Sequence, residues 1–328
     1  MTSSHQGINW KASLAALSAM LCWGSVPVFL RSFIEEIDAW TANGFRYPFA
    51  ALVWTIPLII WVVHKKVPAW CLGWALVPTF FNIFNQTFWG WAPYHLEPGM
   101  ISFIARTSLV FSITISFIVF RDERALLRSR TFWVGLTLCV AGFLGINVMG
   151  GELTSQATWV GVLIVLGHSL FASLYGVSVR KLMRGIAPWV SFPIICWYTS
   201  IIMLWMMFAF GEPANLFTLS QNEFLLLALS SLIGIGLGHV SFYYSIQSIG
   251  VSISSGCILL MPFYTSVISY FVYGEYFSLP QWISGTLMVA GAGILLWAQQ
   301  DLGKAKEPAV STPDRPAEPA ELALETRS

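Results

Sequence analysis

Residues Pro98–Phe120 read PGMISFIARTSLVFSITISFIVF. The run is long enough to cross a bilayer as one helix, which takes about 20 residues at about 1.5 Å rise each. Its single charge is Arg106, slightly to one side of the middle. An arginine near the centre of a membrane helix costs about 2.5–3.5 kcal/mol on insertion scales. Such a side chain faces a protein interior or a watery cavity, where its N–H donors find acceptors. The stretch therefore predicts a membrane bundle built around a polar cavity. The alternative is a structural arginine paired with carbonyls or a carboxylate.

Composition agrees with a membrane protein. The 328 residues are 56% hydrophobic and 10% charged, against about 25% charged in a soluble domain. Mean hydropathy is +0.69. The net charge of +1 and the lack of any basic run interleaved with aromatics argue against nucleic acid as a partner. Five cysteines, Cys22, Cys71, Cys139, Cys196 and Cys257, are scattered through apolar segments without paired spacing. That speaks against a disulfide framework and a zinc site, and no metal or cofactor is expected. The first apolar segment is long, lacks a small-residue cleavage pattern and is followed by many others. It is read as a span and not as a secretory signal.

Ten apolar segments follow along the chain: 13–33, 40–63, 71–94, 98–120, 132–149, 159–179, 188–210, 224–247, 251–273 and 281–299. Each is near spanning length, and backbone against lipid must satisfy its own hydrogen bonds, so an all-α integral membrane fold is expected. Long unbroken apolar runs argue against a β-barrel. Residues 301–328 are rich in Pro, Ala and charge and predict a disordered tail. Orientation follows from lysine and arginine. Lys65, Lys66, Arg121, Arg124, Arg128, Arg130, Arg180, Lys181 and Arg184 fall in one set of loops; the other set holds Arg31 among acidic residues. The positive-inside rule then puts residues 1–12 and the tail in the cytoplasm. Trp10, Trp40, Trp70, Trp159, Trp189 and Trp282 sit at segment ends, as an interfacial aromatic belt requires.

The chain repeats itself. Trp10, Arg31 and Trp40 recur as Trp159, Arg180 and Trp189 at one offset of 149, and Glu123 recurs as Glu275 at 152. After each glutamate come a glycine and an Ala-Gly pair: Gly135 with Ala141-Gly142, and Gly285 with Ala290-Gly291. The halves are 13–149 and 159–299, five segments each. Five is odd, so the second copy enters the membrane upside down. Inverted repeats of this kind mark secondary transporters, with the substrate site near the midplane between them.

Leu21-Cys-Trp-Gly-Ser-Val-Pro-Val-Phe29 resembles the W-[GS]-S-x-x-[PV] stretch of the EamA family, in the drug/metabolite transporter superfamily. Gly274-Glu275, Gln281, Gly285 and Ala290-Gly291 resemble that family's repeat ending. The first half departs from it, with Arg121-Asp-Glu123, two extra residues before Gly135 and no counterpart of Pro262. The resemblance covers nearly all of the chain except the tail. It implies ten transmembrane helices, two EamA repeats of five helices and transport of small metabolites. It names no substrate and carries over no binding residue.

Candidate site residues come from polar groups inside the apolar segments. Asn82, Asn85 and Gln86 lie at i, i+3 and i+4 and share one helix face. His239 and Tyr243 are i and i+4, with Gln247 a turn on; His168 and Tyr175 are seven apart on one face. Trp23 and Ser25 lie midway along the first segment. Gln86 corresponds to His239 across the repeat, whereas Arg106 corresponds to Ile258 or Leu259. The charge thus breaks the symmetry, as a bound substrate would. Each residue also has a plainer reading: amides that join helices, buried histidines that only fill hydrogen bonds. Arg46, about two turns into its segment, is read as structural and snorkelling to the outer interface. Glu97, at the outer mouth, partners Arg106 in one state, takes protons, or is simply solvated.

The reading is a secondary transporter of a small organic metabolite bearing a carboxylate, such as an amino acid or related anion. Arg106 clamps the carboxylate. Asn82, Asn85, Gln86, His168, Ser25 and His239 read polar groups, and Trp23, Tyr175 and Tyr243 cover the apolar part. Glu97 or His239 would couple protons. The partners are that metabolite and the lipid bilayer of the cell membrane; pairing with a second copy stays open. An intramembrane enzyme would need a convergent catalytic set, and no HExxH, GxSxG, paired aspartates or Cys/His cluster is visible. A receptor or assembly protein predicts scattered polar residues without facing stripes. A channel predicts a ring of like charges.

Overall fold

The computed structural model describes residues 10–64, 67, 69–149, 156–183, 186, 188–242, 244–245, 254 and 257–304. The expectations for residues 1–9, Lys65, Lys66, Arg184, Tyr243, Gln247 and the tail beyond Lys304 lie outside these. Among the described residues the regular structure is wholly helical. It comprises α1 (Trp10–Arg31), α2 (Ala39–Val63), α3 (Ala69–Trp74), α4 (Leu76–Trp91), α5 (Pro98–Ile104) and α6 (Thr107–Val119). Then come α7 (Arg130–Met149), α8 (Gln156–Leu182), α9 (Pro188–Phe210), α10 (Gln221–Ser231), α11 (Met261–Tyr273) and α12 (Leu279–Lys304), with short 3₁₀ turns between some of them.

Among the described residues eight helical stretches, counting Pro98–Val119 as one, are long and apolar enough to cross a membrane. Two of the ten expected segments are not among these eight. The third is split at Ala75, because Pro78 has no N–H to bond the Trp74 carbonyl. The ninth shows 13 helical residues, Met261–Tyr273, with most of the preceding link outside the described residues.

Helix ends follow their sequence signals. Asp38 caps α2, its carboxylate accepting from the Thr41 N–H at 2.9 Å and the Thr41 hydroxyl at 2.6 Å. The same carboxylate accepts the Glu212 N–H at 2.9 Å, tying α2 to the turn after α9. Ser220 and Glu223 form a capping box at α10. Gly274, at φ +70°, ends α11 in the left-handed conformation that a side chain would resist.

The packing is antiparallel wherever positions matched by the repeat meet. On α7 and α12, a Cβ added at Gly135 would lie 3.0 Å from the Gly291 carbonyl, while Gly145, later in α7, faces Ser284, earlier in α12. On α2 and α9, Gly44 meets Met207 and Trp54 meets Phe192. On α5 and α11, Gly99 meets Ser266 and Phe103 meets Phe263. The polarity of the molecule is that of a membrane protein. Ile56, Val63, Leu163, Phe208 and Phe271 are exposed, whereas Asn43, Arg46, Thr199 and Ser230 are buried. Water would reverse that choice; lipid accepts it, and the chain is a multi-pass membrane protein.

Candidate functional site

A cavity of about 210 Å³ lies where the two halves meet. The first half lines it with Trp23 and Val26 (α1), Arg46 and Tyr47 (α2), Asn85, Gln86 and Trp89 (α4), and Arg106. The second half adds His168 and Ala172 (α8), Gly234, Ile235 and His239, and Met261.

Arg106 sits at a break. The expected single helix over 98–120 is two, α5 and α6, with Arg106 in the turn between them. The Arg106 N–H bonds the Phe103 carbonyl and the Leu109 N–H bonds the Arg106 carbonyl, so the turn tightens to i→i−3 spacing. Carbonyls near the break are met by α8: the Ser173 hydroxyl donates to Ser108 at 2.7 Å and the Ser169 hydroxyl to Ala105 at 3.4 Å. Irregular backbone at this depth is tolerable because protein, not lipid, surrounds it. The guanidinium spends one N–H, from Nη1 to the Ile258 carbonyl at 3.4 Å, and its buried Nε has no partner. Ile258 is one of the two positions, with Leu259, that the repeat equates with Arg106.

Arg46 overturns the snorkelling expectation. It is 1% exposed and turns inward to the same cavity. Its Nε donates to the Ser230 hydroxyl at 3.0 Å, Nη1 to Asn43 Oδ1 and Nη2 to the Ser230 carbonyl, both at 3.4 Å. The missed signal is the helix face Asn43-x-x-Arg46-Tyr47, with a second intramembrane arginine whose default reading is functional. Among the described residues the ion pair within 4 Å is Arg31–Glu97, so neither buried arginine has a carboxylate partner there.

The π-helical turn Leu232–Leu237 continues α10 along this wall. Its wide turn and its glycines let the backbone itself line the cavity, and the Gly234 carbonyl accepts the Trp23 indole N–H at 3.0 Å. His239 Nδ1 is 3.1 Å from the Ile235 carbonyl, and its ring stacks on Phe192 at 4.4 Å with Trp23 edge-on at 5.1 Å. Opposite, His168 Nδ1 is 3.3 Å from the Asn85 carbonyl and its ring lies 4.5 Å from Trp89.

The structure thus brings Trp23, Asn85, Gln86, Arg106, His168 and His239 to one cavity and leaves other candidates elsewhere. Asn82 stands behind Asn85, accepting from its amide at 3.3 Å and donating to Thr199 at 3.0 Å. Asn85 Oδ1 has no partner. Ser25 bonds the Leu21 carbonyl and meets the Tyr264 hydroxyl at 2.9 Å. Tyr175 packs beside Met183 and Ile194. Tyr243 lies outside the described residues.

Glu97 belongs to a second cavity, of about 450 Å³, at the end of the bundle where α1 and α11 finish. It pairs with Arg31 at 2.7 Å, and Arg31 also donates to the Pro93 carbonyl. Nearby, the Glu275 carboxylate accepts the Gly99 and Met100 N–H groups at 2.8 and 3.0 Å, capping α5 from the other half of the chain. Burial raises the Glu275 pKa above the usual carboxylate range, against the lowering effect of these bonds.

Apolar exterior, charged interior cavity and two matched halves define a multi-pass membrane protein of two repeats around a polar cavity. The chain belongs to the EamA-like transporter family, whose model matches residues 10–148 and again 159–297. It is 23% identical over 191 residues to an uncharacterized transporter of Haemophilus influenzae (strain ATCC 51907 / DSM 11121 / KW20 / Rd); the match spans 58% of this chain and 62% of that relative. A solved crystal structure of a protein aligns with TM-score 0.60 at 14% identity, covering 89% of this chain and 98% of that one. At that identity the likeness speaks for the fold alone.

Proposed function

We propose that the protein is a secondary transporter that moves a small organic metabolite bearing a carboxylate across the cell membrane by alternating access. The observation that carries this is the pair of buried arginines on one cavity between the halves, without a carboxylate partner among the described residues. A site that keeps two cations without counter-charges is matched to an anion it receives.

The proposal includes ten crossings arranged as two inverted five-helix repeats, with both termini cytoplasmic. The antiparallel packing of α7 on α12, α2 on α9 and α5 on α11 supports the inversion. Each pair joins segments equated by the repeat, and a two-fold axis that reverses helix direction lies in the membrane plane. Rocking one half on the other would then open the cavity to each side in turn. The test is counterflow in proteoliposomes: labelled anion accumulates when the same unlabelled anion is trapped inside, and Arg106→Gln abolishes it. Absence of counterflow for every anion that the purified protein binds would refute the transporter reading.

A further inference from the structure

We propose that the central cavity takes a short-chain dicarboxylate, with one carboxylate on Arg46 and the other on Arg106, and that it rejects amino acids. This rests on the transporter reading above and narrows its substrate class.

The first argument is charge. A guanidinium stays protonated in proteins, so the lining carries two positive charges. Among the described residues no Asp or Glu lines the cavity. An amino acid would bring its ammonium beside two arginines with no carboxylate to receive it. A dianion leaves neither guanidinium uncompensated.

The second argument is donor geometry. Arg106 spends one N–H on the Ile258 carbonyl at 3.4 Å, and its Nε has no hydrogen-bond partner among the described residues. Arg46 spends Nε and one N–H on each terminal nitrogen. One N–H remains on each of Nη1 and Nη2 by donor count. Both arginines therefore keep unspent donors to offer a carboxylate.

The third argument is placement. Arg46 reaches the cavity from α2, near Gly234, whose added Cβ would be 3.4 Å from Arg46 Nη2, whereas Arg106 reaches it from the turn between α5 and α6 and donates to the Ile258 carbonyl. Two guanidiniums brought to one cavity by different elements suit two carboxylates at the ends of a short carbon chain. Trp23, Tyr47 and Trp89 supply apolar wall between them, and the cavity of about 210 Å³ admits only a small molecule.

The test uses the purified full chain with succinate, glutarate, butyrate, alanine and inorganic phosphate, measured by calorimetric titration and melting temperature. Succinate or glutarate should bind at least tenfold tighter than butyrate, alanine or phosphate. Arg46→Gln and Arg106→Gln should each weaken the dicarboxylate at least tenfold, while butyrate responds to one of the two at most. The ranking on the unmodified protein stands even if a Gln variant fails to fold, and Arg46→Lys, which keeps the charge without the fork, serves as the second variant and should recover part of the loss. Tighter binding of alanine or butyrate, or equal binding of phosphate, would overturn the dicarboxylate assignment. Counterflow of that tighter ligand would leave the transporter reading standing; binding of dicarboxylate without counterflow would instead refute transport.

Discussion

Gly142 on α7 is packed against backbone. A Cβ there would meet the Met288 amide nitrogen and lie 2.5 Å from the Ser284 carbonyl oxygen and 2.7 Å from Met288 Cα on α12. Ordinary contact needs roughly 1 Å more, and backbone of a packed helix cannot swing aside as a side chain does. Gly142→Ala should therefore force α7 and α12 apart. Overpacking of this size costs about 1–3 kcal/mol, set against about 1 kcal/mol that alanine gains over glycine in a helix. Gly176 on α8 is the control: an added Cβ there meets nothing within 4 Å. Gly176→Ala keeps only the gain. The two variants should differ by about 1–3 kcal/mol, which at roughly 2 °C per kcal/mol is about 2–6 °C in melting temperature. Thermal unfolding in one detergent, both variants side by side, reads the difference. Among the described residues none of α7 or α12 lines the central cavity, so surviving Gly142→Ala protein should bind its anion normally. Equal melting temperatures for the two variants would refute the close approach of α7 and α12.

Arg106→Gln should insert and melt at or above the unmodified temperature, because it forfeits one long hydrogen bond and relieves a buried charge. Anion binding should fall by about 2–5 kcal/mol, thirtyfold or more, with Arg106→Lys recovering part; unchanged affinity with a lowered melting point would instead mark a structural arginine. A carboxyl whose folded pKa is raised binds its proton more tightly when folded, so the contribution of Glu275 to stability is present below the unfolded pKa and fades as pH rises through the folded one. The melting temperature of the unmodified protein minus that of Glu275→Gln should accordingly decrease from pH 4 upward; a difference that grows with pH would contradict the buried carboxylate. Cysteine placed at Ser220 should react with an impermeant reagent from outside intact cells and cysteine at Ser129 should not, and the reverse pattern would invert the orientation.

Class and site were legible to different depths. Periodicity was not needed for the class: apolar runs of spanning length, with lysine and arginine crowded into alternate loops, follow from lipid's refusal of unpaired backbone and of charge. The repeat was legible because matched tryptophans and glycines serve the same local purpose in both halves. Arg106 was legible because it is the single charge in a 23-residue stretch of spanning length. Arg46 was not, since a charge two turns from a helix end can reach water along the surface or turn inward. Ser230, Asn43 and Gly234 turn it inward, and they lie on other helices or depend on them for their own position. The break at Arg106 was hidden for a related reason: Ser169 and Ser173 of α8 satisfy carbonyls beside it from more than sixty residues away. Tyr175 shares a face with His168 and still packs elsewhere, because a helix face about 100° wide spans more than one neighbour. What the sequence by itself determined is which stretches enter the bilayer and that charge among them must be housed. Which charges share a room was decided by tertiary packing, because a guanidinium buried in a membrane goes where neighbouring helices offer acceptors.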